Sequence, residues 1–161
     1  MLIVFNSSPL IFLARLGFLN TFVDSANEFY LPTFVAEEIS AKSDKASQSV
    51  QGLIDSGKIT PKAIKLTFLA NSLNARLGLG ESEAIALGIE LPCDYIILDD
   101  NAARKEAVRL GLQVKGTLAV IKKLQADGKI TIDSLEQLYQ QLVAINFRVK
   151  RSLFDSIFED T

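Results

Sequence analysis

Short apolar runs alternate with longer amphipathic stretches along this chain of 161 residues. The runs Leu2–Phe5 and Tyr95–Leu98 are rich in β-branched residues and end at polar residues, which is typical of buried parallel strands. Glu28–Leu31 and Leu112–Lys115 predict two further short strands. Because the strands alternate with helical stretches over short connections, the pattern indicates an α/β domain with a parallel sheet.

The stretches between and after these strands predict helices from their apolar spacing and their capping residues. The small, polar segment Ser43–Ser49 predicts a loop or a helix–helix junction. The expected helices are Leu10–Leu19, the segment after Thr33, Val50–Ile54, Lys65–Leu77, Glu81–Leu87, Asn101–Leu110, Thr117–Ala126, Asp133–Ala144 and Lys150–Phe158.

Composition predicts one folded domain that covers residues 1–161. With 48% hydrophobic and 22% charged residues, the chain can bury a core and is not of the disordered class. No apolar run approaches the ~18 residues that a membrane helix needs. The apolar N-terminus lacks a basic start and is interrupted at Asn6–Pro9, so it does not resemble a signal peptide. We therefore expect a soluble, cytoplasmic protein without membrane partners.

Histidine is absent from the sequence, and Cys93 is its only cysteine. This excludes Ser–His and Cys–His nucleophiles, an internal disulfide and nearly all zinc sites. Cys93 lies in an apolar region, where a lone cysteine usually fills the core. Metal or acid–base chemistry must then depend on Asp and Glu, and oxygen ligands favour Mg²⁺ or Mn²⁺.

Charge is distributed unevenly although the net charge is only −2. Residues 1–101 contain seven Lys or Arg against twelve Asp or Glu, which gives −5. Residues 102–151 contain ten basic and four acidic residues, which gives +6, and the remaining tail contributes −3. An acidic centre beside a basic flank suits a metal-dependent nuclease, and ordinary solvated helix faces explain the same counts.

Polar residues follow the two clearest strands at the point where each one ends. Asn6 and Ser8 follow the first strand, and Asp99 and Asp100 follow Tyr95–Leu98. Ligands of open parallel sheets bind beyond the carboxyl ends of the strands, so these side chains are candidates for a common site.

Two glutamates, Glu38 and Glu83, lie on predicted helices that can face the same edge. Carboxylates gathered there would bind a divalent ion, neutralise a phosphodiester and activate water. Each acid also has a structural explanation. Asp99 is typical of a turn or cap, Glu83 of a helix-dipole partner and Glu38 of a solvated face.

The segment Asn6–Ile11 resembles the opening motif of PIN domains, in particular the bacterial and archaeal branch of predicted nucleic-acid-binding PIN proteins related to VapC-like toxins. Further segments resemble that branch in the same order and with suitable spacing, so that the likeness spans nearly the whole chain. They are Val35–Ile39, Gly80–Leu87, Leu98–Arg104, Leu110–Leu118 and Ile145–Val149 with the final helix.

The resemblance implies a three-layer α/β/α sandwich around a central parallel sheet. It implies an RNA-cleaving enzyme that holds Mg²⁺ or Mn²⁺ with acidic residues, and many such proteins are toxins neutralised by a small antitoxin. It also leaves a homodimer open. By position, the catalytic acids fall on Glu38, Glu83 and Asp99, with Asp100 as a further metal ligand.

Several residues are expected to contact RNA. Ser8 matches the small hydroxyl residue of the opening motif, and Arg104 matches the arginine of the branch, where it serves either phosphate binding or a structural ion pair. Lys105 and Arg109 leave the same strand on the helix of Arg104. We therefore expect RNA affinity to fall with salt as phosphate contacts are screened.

Asn6 departs from the family pattern, because PIN nucleases place their first aspartate there. An asparagine offers a metal a carbonyl oxygen without the charge. Two hypotheses follow, a metal-dependent ribonuclease of a toxin–antitoxin pair and a catalytically weak PIN fold that binds RNA or protein. A receiver-like signalling domain is less compatible, because its acidic pair would follow the first strand, where this chain has Asn6 and Ser7.

Overall fold

A computed structural model describes residues 1–159, in which five parallel strands form one sheet. The strands are β1 (Leu2–Phe5), β2 (Glu28–Pro32), β3 (Thr60–Lys62), β4 (Tyr95–Ile97) and β5 (Val114–Lys115). Their order across the sheet is β3-β2-β1-β4-β5, with Phe5 of β1 opposite Ile97 of β4. The predicted parallel sheet is confirmed, and β1 and β4 lie at its centre.

Helices account for most of the remaining chain. Within residues 1–159 they are α1 (Ser7–Leu16), α2 (Leu19–Val23), α3 (Thr33–Ser40), α4 (Lys45–Asp55), α5 (Thr67–Asn74), α6 (Leu79–Glu90), α7 (Asn101–Arg109), α8 (Thr117–Ala126), α9 (Leu135–Ala144) and α10 (Arg151–Phe158). None of these helices has the length and apolar character needed to span a membrane.

The two faces of the sheet are buried under different helices. Ile3 and Phe5 pack into a large apolar cluster with residues of α1–α4 and α8–α10. Val4 and Ile96 point the other way, into a smaller cluster with residues of α5, α6 and α7. This alternation along each strand explains why the strand sequences are apolar throughout. The expected three-layer α/β/α sandwich is confirmed.

Local predictions failed at three places. The loop or helix–helix junction expected over Ser43–Ser49 is confined to its first two residues, because α4 begins at Lys45 and the Asp44 side chain caps it by accepting a hydrogen bond from Ser47 N. Strand β3 was not predicted. The helix expected over Leu10–Leu19 begins at Ser7 and is interrupted at Gly17, whose φ of 81° ends α1.

The central strands determine where the candidate site lies. Asn6 leaves β1 with its backbone N–H donating to Ile97 O at 3.3 Å, and Leu98 leaves β4 with its N–H donating to Lys115 O at 3.0 Å. The chain therefore emerges from β1, β4 and β5 side by side at one edge. Asn6 and Gly116 directly follow β1 and β5, and Asp99 lies two residues after the end of β4.

Candidate active site

Asn6 is buried at the carboxyl edge of the sheet. Only 4% of its surface is exposed, and its Oδ1 has no hydrogen-bond partner among the described residues. A buried acceptor without a partner costs free energy and is uncommon in folded proteins. The atom is therefore available to a donor or a cation that the chain itself does not supply.

Glu38 approaches Asn6 across the first turn of α6. A methyl group built on Gly80 would lie 3.3 Å from Asn6 Oδ1 and 3.4 Å from Glu38 Oε1. Both oxygens thus surround one small space, and the missing side chain of Gly80 leaves it open. Glu38 is otherwise exposed on α3.

Glu83 projects from α6 toward the same acidic group and is half-buried. Burial raises its pKa, and the negative charges of Glu37 and Glu38 raise it further. A dication placed among these carboxylates would relieve their repulsion.

Asp99 is oriented by a single residue. Thr117 donates its backbone N–H to Asp99 Oδ1 at 2.8 Å and its hydroxyl to Oδ2 at 2.6 Å. Burial raises the pKa of Asp99, while the Thr117 hydrogen bonds and the Arg104 charge act in the opposite direction. Gly116 permits this arrangement, because a Cβ there would lie 2.6 Å from Arg104 Nη1 and 3.1 Å from Asp99 Oδ1.

Asp100 has a different local role. Its side chain caps α7 by accepting a hydrogen bond from Ala103 N at 2.9 Å, and the residue is exposed. The cap uses Asp100 Oδ2 and does not involve Oδ1. Asp100 also lines the same cavity as Asp99.

A cavity of about 1190 Å³ opens at this edge of the sheet. Its polar lining residues include Asn6, Asp99 and Glu81. Its apolar lining residues come from α1, α8, α9, α10 and the segment before α10, namely Phe12, Leu118, Val143, Phe147, Leu153 and Ile157.

The expected RNA-binding residues divide into two groups. Ser8 and Arg104 line the large cavity, and Arg104 donates from Nη1 to Leu98 O at 3.0 Å. Lys105 is exposed on α7 outside the cavity lining, and Arg109 is paired with Glu106. Arg148 and Lys150 also line the cavity, and neither forms an ion pair within residues 1–159.

These side chains suit a divalent cation in their donor chemistry. Asn6 Oδ1 lacks a hydrogen-bond partner within residues 1–159, Glu38 faces the same space, and burial together with the charges of Glu37 and Glu38 raises the pKa of Glu83. All are oxygen donors, which hard cations prefer. Within residues 1–159, however, no three Asp, Glu or Cys side chains lie close enough together to form a ready metal group. Convergence of Glu38, Glu83 and Asp99 on one ion therefore stays a prediction.

Thr117, Arg148 and Lys150 were not identified as site residues from the sequence, whereas the cavity cation Arg104 was. Thr117 lies two residues after the short strand β5, as Asp99 lies two residues after β4, so the strand-end rule that selected Asp99 also applies to it. Arg148 and Lys150 follow α9 in an irregular segment, where sequence periodicity carries no information about direction.

The family comparison covers almost the whole chain. A family model described as "DUF3368: PIN domain" matches residues 2–161. No curated protein matches the chain. PIN domains have a nuclease-type fold, are associated with nucleic-acid binding and generally use divalent metals. The resemblance in the sequence motifs is thus confirmed, and the chain belongs to the PIN-domain family.

Proposed function

We propose that this protein is a metal-dependent endoribonuclease that hydrolyses RNA phosphodiesters with Mg²⁺ or Mn²⁺. The observation that carries the proposal is the buried Asn6 Oδ1, which has no hydrogen-bond partner within residues 1–159 and shares one small space with Glu38. This space lies beside a cavity whose wall carries the cations Arg104, Arg148 and Lys150. Oxygen ligands next to unpaired cations suit a metal-bound phosphate.

In this proposal Glu38, Glu83 and Asp99 supply the negative charge that holds the ion. Asn6 contributes a neutral oxygen, and Asp100 adds a carboxylate at the rim. The bound ion would neutralise the phosphate and lower the pKa of the attacking water. Thr117 keeps Asp99 in one orientation through its two hydrogen bonds, so that this carboxylate need not reorient during the reaction.

The cavity wall would position the RNA. Arg104 is half-buried and reaches the cavity beside Asp99, where its guanidinium can bind a phosphate oxygen. Ser8 is exposed on the first turn of α1 and offers a hydroxyl donor at the same place. Neither role requires base recognition, so these two residues would fix the backbone of the RNA.

We also propose that the protein is one PIN domain over residues 1–161 and acts on cytoplasmic RNA as the toxin of a toxin–antitoxin pair. A small antitoxin protein would hold it inactive, and a homodimer is part of this proposal. The support is membership of the PIN family together with the motif resemblance.

A second candidate function is a catalytically weak PIN fold that binds RNA or a protein partner. Two observations favour it. Asn6 brings no charge to the position of the first acid, and no three-acid group is assembled within residues 1–159. The two functions predict different effects on RNA cleavage when a substitution changes the charge of the site.

The deciding experiment measures cleavage of a mixed RNA pool over a series of Mn²⁺ concentrations. Asn6→Asp adds a negative ligand and should lower the Mn²⁺ concentration needed for half-maximal cleavage several-fold, since one added charge at close range is worth more than about 1 kcal/mol. Asp99→Asn removes a charge and should abolish cleavage.

The outcomes separate the candidates. Cleavage by Asp99→Asn at the wild-type rate would contradict the nuclease mechanism. If neither the wild type nor either variant cleaves at any Mn²⁺ concentration, and all three proteins bind RNA equally well, the binding function is the correct one. Circular dichroism of both variants confirms that they are folded.

A further inference from the structure

A second, smaller cavity of about 280 Å³ adjoins the large one. Ser8, Phe12 and Asn146 line both cavities and form the junction between them. The candidate site residues are divided across this junction, because Asn6 and Asp99 line the large cavity whereas Glu38 lines the small one. Since Asn6 Oδ1 and Glu38 Oε1 face the same space at Gly80, the two cavities meet at the acidic site.

The small cavity has its own pair of cations, Arg15 on α1 and Lys42 after α3. Both residues are exposed, and neither forms an ion pair within residues 1–159. Hydrogen bonds from Ser47 lower the pKa of Asp44, and the charges of Arg15 and Lys42 lower it further, so this carboxylate lies near both cations. Asp44 does not line the small cavity, whereas Glu38 does, and Glu38 points toward the acidic site at Gly80.

Cations therefore lie on both sides of the acids. Arg148 and Lys150 line the large cavity, Arg15 and Lys42 line the small one, and the acidic site lies between the two pairs. A chain of regularly spaced negative charges that crosses the acids would meet unpaired positive charge before and after them. The phosphodiester backbone of a nucleic acid is such a chain.

Phe12 adds an apolar contact at the crossing point. It is half-buried, lines both cavities and packs edge-on against Phe147, with 4.9 Å between ring centroids and an interplanar angle of 84°. Aromatic side chains beside a basic track are the usual support for unstacked bases. The small volume of the second cavity suits one strand and not a duplex.

We propose that Arg15 and Lys42 form a phosphate-binding subsite for single-stranded RNA on the opposite side of the acidic site from Arg148 and Lys150. This inference rests on the proposed function, and it adds the path of the substrate. The strand occupies both cavities and crosses at Ser8 and Phe12. The site then binds nucleotides on both sides of the phosphate that is cut, which selects internal positions over chain ends.

The test uses fluorescein-labelled single-stranded oligouridine, with binding followed by anisotropy in EDTA so that cleavage is not required. The double variant Arg15→Ala/Lys42→Ala is compared with Lys65→Ala/Lys129→Ala. The control removes the same charge from exposed residues outside both cavities. For the subsite variant, the slope of log affinity against log salt should become shallower by about 0.7 for each phosphate that the protein no longer neutralises. The control should keep the wild-type slope.

Oligomer length supplies the second measurement. On long oligouridine, Arg15→Ala/Lys42→Ala and Arg148→Ala/Lys150→Ala should each weaken binding several-fold. On the shortest oligomer that still binds, only one of the two should have an effect, because one cavity is then empty. If Arg15→Ala/Lys42→Ala binds RNA as tightly as the control variant at every oligomer length, the proposed subsite does not exist. These binding measurements do not depend on cleavage. Two-sided RNA binding would therefore be detected even if the nuclease proposal failed.

Discussion

Both carboxylate oxygens of Asp99 accept hydrogen bonds from the same residue, Thr117. Thr117 is fully buried, and its N–H belongs to the first turn of α8, where backbone donors lack partners within the helix. The pair therefore satisfies an orphan N–H of α8 and fixes the plane of the Asp99 carboxylate. Any ligand of Asp99 must approach the remaining lone pairs of its oxygens.

Replacing Thr117 tests whether this orientation matters for function. Thr117→Val keeps the shape and loses the hydroxyl hydrogen bond, so the free energy of unfolding should fall by about 1–3 kcal/mol. We expect a lower kcat with little change in KM, because the bond orients a site carboxylate and does not touch the RNA. Thr117→Ser restores the hydroxyl and should recover most of the rate. Equal kcat values for Thr117→Val and Thr117→Ser would contradict a positioning role of the Thr117 hydroxyl.

Helix α6 approaches the site with its first turn, and its sequence permits an unusually close contact. Gly80 lies in that turn and places no side chain between Asn6 and Glu38. Glycine is an unfavourable helix residue by about 1 kcal/mol relative to alanine, so its presence here lowers the intrinsic stability of α6. The absence of a side chain at Gly80 leaves the space between Asn6 Oδ1 and Glu38 Oε1 open.

Gly80→Ala should separate stability from function. The new Cβ would lie 3.3 Å from Asn6 Oδ1 and 3.4 Å from Glu38 Oε1, so it fills the space that an ion would use. We expect wild-type or slightly higher thermal stability and a clear loss of Mn²⁺ affinity, measured by calorimetric titration. The matched control is Gly52→Ala in α4, where a Cβ meets nothing within 4 Å.

Gly52→Ala should stabilise the protein by about 0.5–1 kcal/mol through helix propensity and leave Mn²⁺ binding unchanged. The two substitutions are chemically identical, so a difference in metal binding reports on position alone. Equal Mn²⁺ affinities in both variants would show that the space at Gly80 is not a metal site.

The central elements were predictable because burial on both faces makes their sequences apolar. β1 and β4 were found in this way, and their register then determined where Asn6 and Asp99 emerge. β3 was missed for the opposite reason. It is an edge strand of three residues, Thr60–Lys62, with Pro61 at its centre, and it pairs only with β2.

The site was only partly predictable from the strand-end rule and the motif resemblance. Those arguments selected Asn6, Glu38, Glu83 and Asp99, and the structure brings Glu38 next to Asn6 and near Glu83. They could not find Arg15, Lys42, Arg148 or Lys150, because those side chains line the cavities only through the packing of elements distant in sequence. Contacts of that kind leave no local pattern in the chain.

At the scale of the whole molecule, charged residues gather at two places, the cavities at the carboxyl edge of the sheet and the Glu106 cluster. The cations that line the cavities belong to α1, α7 and the segments that follow α3 and α9, around the carboxyl edge of the sheet. On the α5–α7 side, Glu106 is buried beside Arg76 and Arg109. Arg109 was expected to bind RNA, and its guanidinium is here bonded to Glu106, so RNA would have to compete with that ion pair.

The Glu106 cluster should determine part of the acid stability of the protein. Arg109 Nε lies 3.2 and 3.1 Å from the two Glu106 oxygens, and Arg76 Nη2 lies 3.2 Å from Oε1. The hydrogen bond from Arg109, followed by that from Arg76, lowers the pKa of Glu106 from 4.5 to about 2. A carboxyl whose pKa is lower in the folded state stabilises it above the unfolded pKa, and this contribution is lost as the pH falls through the folded value.

Wild type should therefore lose stability relative to Glu106→Gln as the pH falls from 4.5 to about 2, since only wild type takes up a proton at this position over that range. Above pH 4.5 wild type should be the more stable of the two, and the difference should not change with pH until other groups titrate. Urea unfolding of both proteins at half-unit pH steps measures the difference directly. Parallel curves from pH 6 to pH 2 would show that the ion pairs of Glu106 do not contribute to folding. A difference that widens as the pH falls would mean that the pKa of Glu106 is raised in the folded protein, contrary to the arrangement of the two arginines around it.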